Sequence, residues 1–157
     1  MGWRMIGKPI LTADLPFAVS QKVDLDRSTV LRGIQVGVIL YGDPAFTSLE
    51  ARIYTDGAGT PKKLIATSTN APLKAAILEV EDHGVKFMGF SFNYVNLLAN
   101  TPYHFVLYPN GYTGTDASHI AWRMSYPDPQ YRTGLTVDAA NGDNHHLELN
   151  LIGEINE

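Results

Sequence analysis

The sequence predicts an all-β protein: a single antiparallel β-sandwich, jelly-roll-like, of about eight strands. Three observations predict it. Charged residues make up only 18% of the chain, below the roughly one quarter typical of soluble domains, while glycine, proline, asparagine and threonine are plentiful. Short runs alternate apolar and polar residues with period two, the pattern of strands with one dry and one wet face. Turn clusters punctuate those runs, and a sandwich or jelly roll closes one core from many such half-buried strands.

Residues 1–16 carry Pro9 and Pro16 and no clean periodicity, so they read as an extended arm or a first edge strand ahead of a sandwich domain over 17–157. Strands are predicted at 17–25, 30–40, 49–55, 64–69, 87–93, 103–108, 119–125 and 145–155. In the third, Leu49, Ala51 and Ile53 alternate with Glu50, Arg52 and Tyr54 until Asp56, Gly57 and Gly59 stop it. In the sixth, the turn Ala99-Asn100-Thr101-Pro102 feeds Tyr103, Phe105 and Leu107 against His104, Val106 and Tyr108. The last strand sets Leu147, Leu149, Leu151 and Ile155 against Glu148, Asn150 and Glu154, with Ile152 and Gly153 breaking the pattern. So clean an alternation predicts a place in the middle of a sheet. Residues 127–144 are turn-rich and read as the longest loop, a functional or mobile one by its length. Only 72–81 mixes helix formers with Ile77 and Val80, which fit a strand equally well; a single helical turn is the most it predicts.

With 157 residues the chain fits one domain that buries roughly 70% of its unfolded surface. There are no cysteines, hence no disulfides or thiolate metal sites. No segment approaches the roughly 20 apolar residues of a membrane span, and the N-terminus lacks a secretory apolar core; Ile6 stands where a myristoylation signal wants Ser or Thr. A soluble protein made in the cytoplasm is expected. Net charge is −4, and the basic residues are scattered, with Lys62 and Lys63 the densest pair. Binding to phosphate backbones needs a clustered basic surface, so no nucleic-acid partner is expected.

The chemistry-bearing candidates read mainly as structure. Asp138, Asn141 and Asp143 could offer oxygen ligands to calcium, but Asn-Gly and Asp-Asn are ordinary turn residues, and Asp56 with Gly57 and Gly59 reads the same way. His145 and His146 would point to opposite faces of a strand, and His83, His104 and His119 are isolated in sequence. Ser91 lacks the second glycine of a nucleophile elbow. Glu50, Glu79, Glu81 and Asp82 could pair across a cleft as glycosidase acids do, yet surface solvation explains them equally. No metal, no cofactor and no enzymatic activity are expected. Phe87, Phe90, Phe92, Tyr94, Tyr103, Phe105 and Tyr108 are expected mostly to fill the core. Trp122, Tyr126 and Tyr131 are the candidates for an exposed aromatic platform that stacks on sugar or anchors an interface, with Trp122 in the core as the competing reading.

The order of these signals resembles a β-sandwich domain that recurs in bacterial surface-anchored proteins and in phage virion accessory proteins. The parallels are Gln21 to Leu25, Leu31 to Val38, Ile53-Tyr54-Thr55-Asp56 with its Gly59-Thr60-Pro61 turn, and Leu64 to Ser68. They continue with Leu98-Ala99-Asn100-Thr101-Pro102-Tyr103, Trp122 with Ser125, Tyr131-Arg132-Thr133-Gly134, and Ile152-Gly153. The resemblance covers nearly the whole of 17–155. It implies a virion structural protein assembled in the host cytoplasm: a capsid decoration or cement protein, or a head-fibre or tail component. The partner is then the major capsid protein or another virion protein, with a homo-oligomer such as a trimer suiting a capsid's symmetry points. Trp3, Met5, Ile6, Ile10 and Leu11 would be the apolar anchors of the docking arm. The alternative is a carbohydrate-binding module, with a glycan as ligand and Trp122, Tyr126 or Tyr131 as its platform.

Overall fold

The computed structural model describes residues 3–6, 19–77, 86–113, 119–125, 135–138, 146–147 and 149–155. In chain order they form β1 (Trp3–Ile6), β2 (Val19–Leu25), β3 (Thr29–Tyr41), β4 (Ser48–Gly57) and β5 (Thr60–Thr67), then the single helical turn α1 (Lys74–Ile77). β6 (Lys86–Leu97), β7 (Pro102–Asn110), β8 (His119–Ser125), β9 (Leu135–Asp138), β10 (His146–Leu147) and β11 (Leu149–Ile155) follow.

The first eight strands pair in a nested way. β1 lies antiparallel to β8, β2 to β7, β3 to β6 and β4 to β5. Two further pairings, β3 with β8 and β4 with β7, join these four ribbons into the sheets β1-β8-β3-β6 and β2-β7-β4-β5. Successive ribbons thus fall alternately in one sheet and the other, which is how a long hairpin rolls up into a jelly roll. β9 extends the second sheet beside β2, while β10 pairs with β8 and β11 with β3 in the first. The fold is an all-β sandwich.

Alternation decides which side chains close it. Leu49, Ala51 and Ile53 of β4 and Phe105 and Leu107 of β7 meet Leu31, Ile34, Val36 and Val38 of β3, Phe90 of β6 and Trp122 of β8 in one continuous core. At roughly 1.5–3 kcal/mol for each fully buried large apolar side chain, this layer supplies the dominant favourable term. Tight turns set the register. Ala58 and Gly59, both with positive φ (55° and 90°), form the two-residue β4–β5 turn, the backbone twist that hairpins favour. Asn100 takes φ 54° in the β6–β7 turn. There the Leu98 N–H donates to the Tyr103 hydroxyl at 3.0 Å, locking a tyrosine corner.

Of the two readings of residues 1–16, residues 3–6 take the edge strand: they form β1, paired with β8. Three expectations need correction. Residues 127–144 contain β9, whose Leu135 and Val137 fall in register opposite Leu25 and Val23; Leu-Thr-Val-Asp is strand-like in itself, and the turn residues around it conceal this. The C-terminal alternation does not lead to the middle of a sheet, because among the described strands β11 pairs with β3 alone. Its break is a bulge at Ile152/Gly153, where a Cβ on Gly153 would run into the Val30 carbonyl. Finally β6 runs to Leu97, four residues past the expected end.

Candidate functional site

The nested order leaves β5 and β6 as outer strands of opposite sheets, lying along the same edge of the sandwich. At one end a short connection bridges them. Ser68 still belongs to the five-stranded sheet: its N–H donates to the Ala51 carbonyl at 2.8 Å and its hydroxyl accepts from the Ala51 N–H at 3.1 Å. Thr69 and Asn70 already belong to the other sheet. The Thr69 N–H donates to the Ser91 carbonyl at 2.7 Å, while the Asn70 side chain accepts from the Ser91 N–H at 2.8 Å and donates to the Gly89 carbonyl at 3.0 Å. Beyond this clasp the two edges part.

They part because β6 bulges. Between the pairs Gly33↔Ser91 and Leu31↔Val95, Arg32 alone stands opposite Phe92, Asn93 and Tyr94. Bulges of this kind bend a strand and re-aim its side chains. Gly33 permits the bend, since a Cβ there would lie 2.8 Å from the Phe90 carbonyl oxygen. Tyr94 takes φ 40°, a left-handed conformation that costs a bulky L-residue roughly 1–2 kcal/mol. The result is a change of phase. Met88, Phe90 and Phe92 face the core at even positions, Leu97 does so at an odd one, and Tyr94 is thrown outward to 66% exposure.

A groove of about 620 Å³ opens here, lined from β5 by Ile65 and Thr67, from β6 by Asn93, Tyr94 and Asn96, and by Leu98 beyond it. Its volume lies within the roughly 300–1,000 Å³ of small-molecule sites. Leu98 is 59% exposed and Ile65 is exposed as well. None of the lining residues carries a charge. The Arg32 guanidinium is 5.5 Å from the Tyr94 ring centroid and is held by Glu154 at 2.6 Å.

The outer face of the five-stranded sheet is polar in a different way. Glu50, Arg52 and Tyr54 of β4 stand opposite Tyr108, Val106 and His104 of β7. The Arg52 guanidinium lies 3.7 Å from the Tyr108 ring centroid and donates to Glu50 at 2.9 Å and to the Tyr54 hydroxyl at 3.3 Å. His104, only 2% exposed, lies with Nε2 2.7 Å from the Asp56 carboxylate. Burial holds the His104 imidazole below its ordinary range against the opposing pull of Asp56. Burial alone would push the Asp56 carboxyl up, but hydrogen bonds from His104 and from the Gly59 N–H outweigh it and hold the group below the usual carboxylate value. At neutral pH the pair is therefore a neutral imidazole donating Nε2–H to a carboxylate. No hydroxyl nucleophile among the described residues is hydrogen-bonded to this imidazole.

The residues singled out from sequence fall apart in space. Trp122 is fully buried in the core cluster, so the platform reading of this residue is corrected: position 122 alternates with Ile120 on the inner face of β8. Tyr126 and Tyr131 lie outside the described residues, as do Ile10 and Leu11. Trp3, Met5 and Ile6 lie on β1, whose backbone pairs with β8 of the same chain. Phe87 and Tyr94 are exposed, not core. Asp138 lies on β9, and Asn141 and Asp143 are outside the described residues, as are His83, His145, Glu79, Glu81 and Asp82. Ser91 is a clasp residue through its backbone, and Glu50 is the partner of Arg52. Among the described residues no three His, Asp or Glu side chains cluster as metal ligands, and no helix is long and apolar enough to cross a membrane. The groove residues Tyr94, Asn93 and Asn96 were legible only as a break in alternation between Phe92 and Val95. Among known proteins, no family model matches this chain and no curated protein matches it.

Proposed function

We propose that this chain is a non-enzymatic structural protein of a bacteriophage particle, acting as a capsid decoration or cement protein or as a head-fibre or tail component. The observation that supports it most is the nested strand order, because jelly rolls are a recurrent architecture of viral capsid and lectin domains. The residues that carry the resemblance lie where such a roll needs them: Asp56 to Gly59 at the β4–β5 turn and Asn100 to Tyr103 at the tyrosine corner. The support is an analogy of fold joined to turn residues.

In this role the protein binds the major capsid protein or another virion protein and adds buried area across the shell in many copies, stabilising it by mass action. A symmetric oligomer such as a trimer matches a capsid's symmetry points. The test is to band particles from the source lysate on a density gradient and quantify this chain by mass spectrometry against the main shell protein. A fixed, high copy ratio is expected. Absence from the particle fraction would contradict the proposal.

A further inference from the structure

We infer that the groove between β5 and β6 is a binding site for a neutral oligosaccharide, with the Tyr94 ring as its stacking face and the Asn93 and Asn96 amides as its polar contacts. This goes beyond the phage-particle reading and does not depend on it.

The lining chemistry selects the ligand. A sugar ring presents C–H groups on its faces and hydroxyls around its rim, so it is matched by an aromatic face with amides beside it. The aromatic quadrupole attracts the C–H face, and each amide can both donate to and accept from hydroxyls. Tyr94 is 66% exposed; the Arg32 guanidinium lies over one side of its ring, 5.5 Å from the centroid, and the opposite face is the one that stacks on the sugar. Among the described residues the side chains of Asn93, Asn96 and Thr67 make no hydrogen bond, although all three line the groove. Ile65 and Leu98 add apolar surface of the kind that the C–H groups of a sugar cover. A lining without charge gives nothing to a phosphate, a sulfate or a uronic acid, and Arg32 is already engaged by Glu154.

A peptide strand is the other occupant that a sheet edge invites. Here the edge is spoiled for it. Thr69 and Asn70 already occupy the β6 edge at Gly89 and Ser91, and the bulge with left-handed Tyr94 interrupts the regular ladder just beyond. The strain at Tyr94 points the same way. A glycine would sit there without penalty, yet the chain carries a large aromatic residue in a conformation that disfavours it, a type of outlier that concentrates at binding sites.

The test is calorimetric titration of the whole chain with a panel of neutral hexasaccharides (cellohexaose, maltohexaose, xylohexaose, mannohexaose and chitohexaose), with an oligogalacturonate as the acidic control. At least one neutral member binds. Tyr94→Gly, which removes the ring and suits the backbone, weakens that binding at least about tenfold, while Tyr94→Phe stays within about threefold of the parent. Should Tyr94→Gly fail to fold, Asn93→Ala and Asn96→Ala carry the test, each weakening binding by at least about threefold as a hydrogen bond is lost. Binding of the acidic oligomer alone, binding of no neutral member at millimolar concentration, or neutral binding that survives these substitutions would overturn the inference.

Discussion

On the outer face of the five-stranded sheet, Arg52, Glu50, Tyr54 and Tyr108 hold one another and His104 holds Asp56; along the β5/β6 edge, Tyr94, Asn93 and Asn96 face a groove open to solvent. Both regions are rich in aromatic and polar side chains, and composition does not tell them apart. What differs is where each polar group finds its partner. In the first region the partners lie two residues along β4 or across on β7, so the network behaves as part of the scaffold, half-buried and, apart from the buried Arg52 Nε, matched within itself. In the second the Asn93 and Asn96 amides have no hydrogen-bond partner among the described residues and the backbone at Tyr94 is strained, so the region gains by binding something else. The contrast separates a surface that stabilises from a surface that recognises.

The largest effect that sharpens this contrast is at Trp122. As a fully buried core residue, Trp122→Ala costs about 3–5 kcal/mol, to be read as a lowered denaturant midpoint; an unchanged midpoint would return it to the surface and to the platform reading. Next comes the scaffold face. Arg52→Ala uncovers Tyr108 and leaves Glu50, itself half-buried, without its cation, which costs about 1–3 kcal/mol. The matching change in the groove, Asn96→Ala, shifts stability by no more than about 0.5 kcal/mol, as expected of an exposed side chain. Equal losses at the two sites would break the comparison.

A pH titration probes the same face. The folded His104 binds its proton less readily than the unfolded chain does, so below an ordinary pKa of about 6.5 the unfolded state gains protons first and stability falls as pH drops from 7 towards 5. Asp56, whose folded pKa is depressed, adds a second loss as the pH falls below about 4. His104→Gln keeps a donor for Asp56 but removes the titration, so the melting temperature of this variant declines less steeply between pH 7 and 5. A parent whose melting temperature does not fall over that interval would contradict the assignment. The smallest effect is in the hairpin. Ala58→Asn places an Asn-Gly pair at the β4–β5 turn, where the left-handed φ of 55° strains alanine, and raises stability by about 0.5 kcal/mol.

The roll was legible wherever alternation was regular. β4, β7 and β8 lie within two residues of their predicted ends because Leu49, Ala51, Ile53, Phe105 and Leu107 keep strict period-two spacing onto a single core. The groove was harder to read, because its defining event is a departure from that spacing. Phe90, Phe92 and Tyr94 look like one buried row until Val95 and Leu97 take up the opposite phase, and the residue that permits the bulge, Gly33, lies across the sheet on β3. A bulge depends on two strands distant in sequence, so neither strand announces it alone. β9 was obscured for another reason: a four-residue strand amid turn residues gives too short a periodic signal to stand out. The equally short β1 was legible only as one of two alternatives.

The most direct test of the claim that the β5/β6 edge is the recognition surface is an amide chemical-shift titration of the isotopically labelled chain with the pooled neutral hexasaccharides. Shifts confined to residues 65–67 and 93–98, with the Arg52, His104 and Tyr108 amides unmoved, are the predicted result. Shifts centred on the outer face of the five-stranded sheet, or none anywhere, would contradict it.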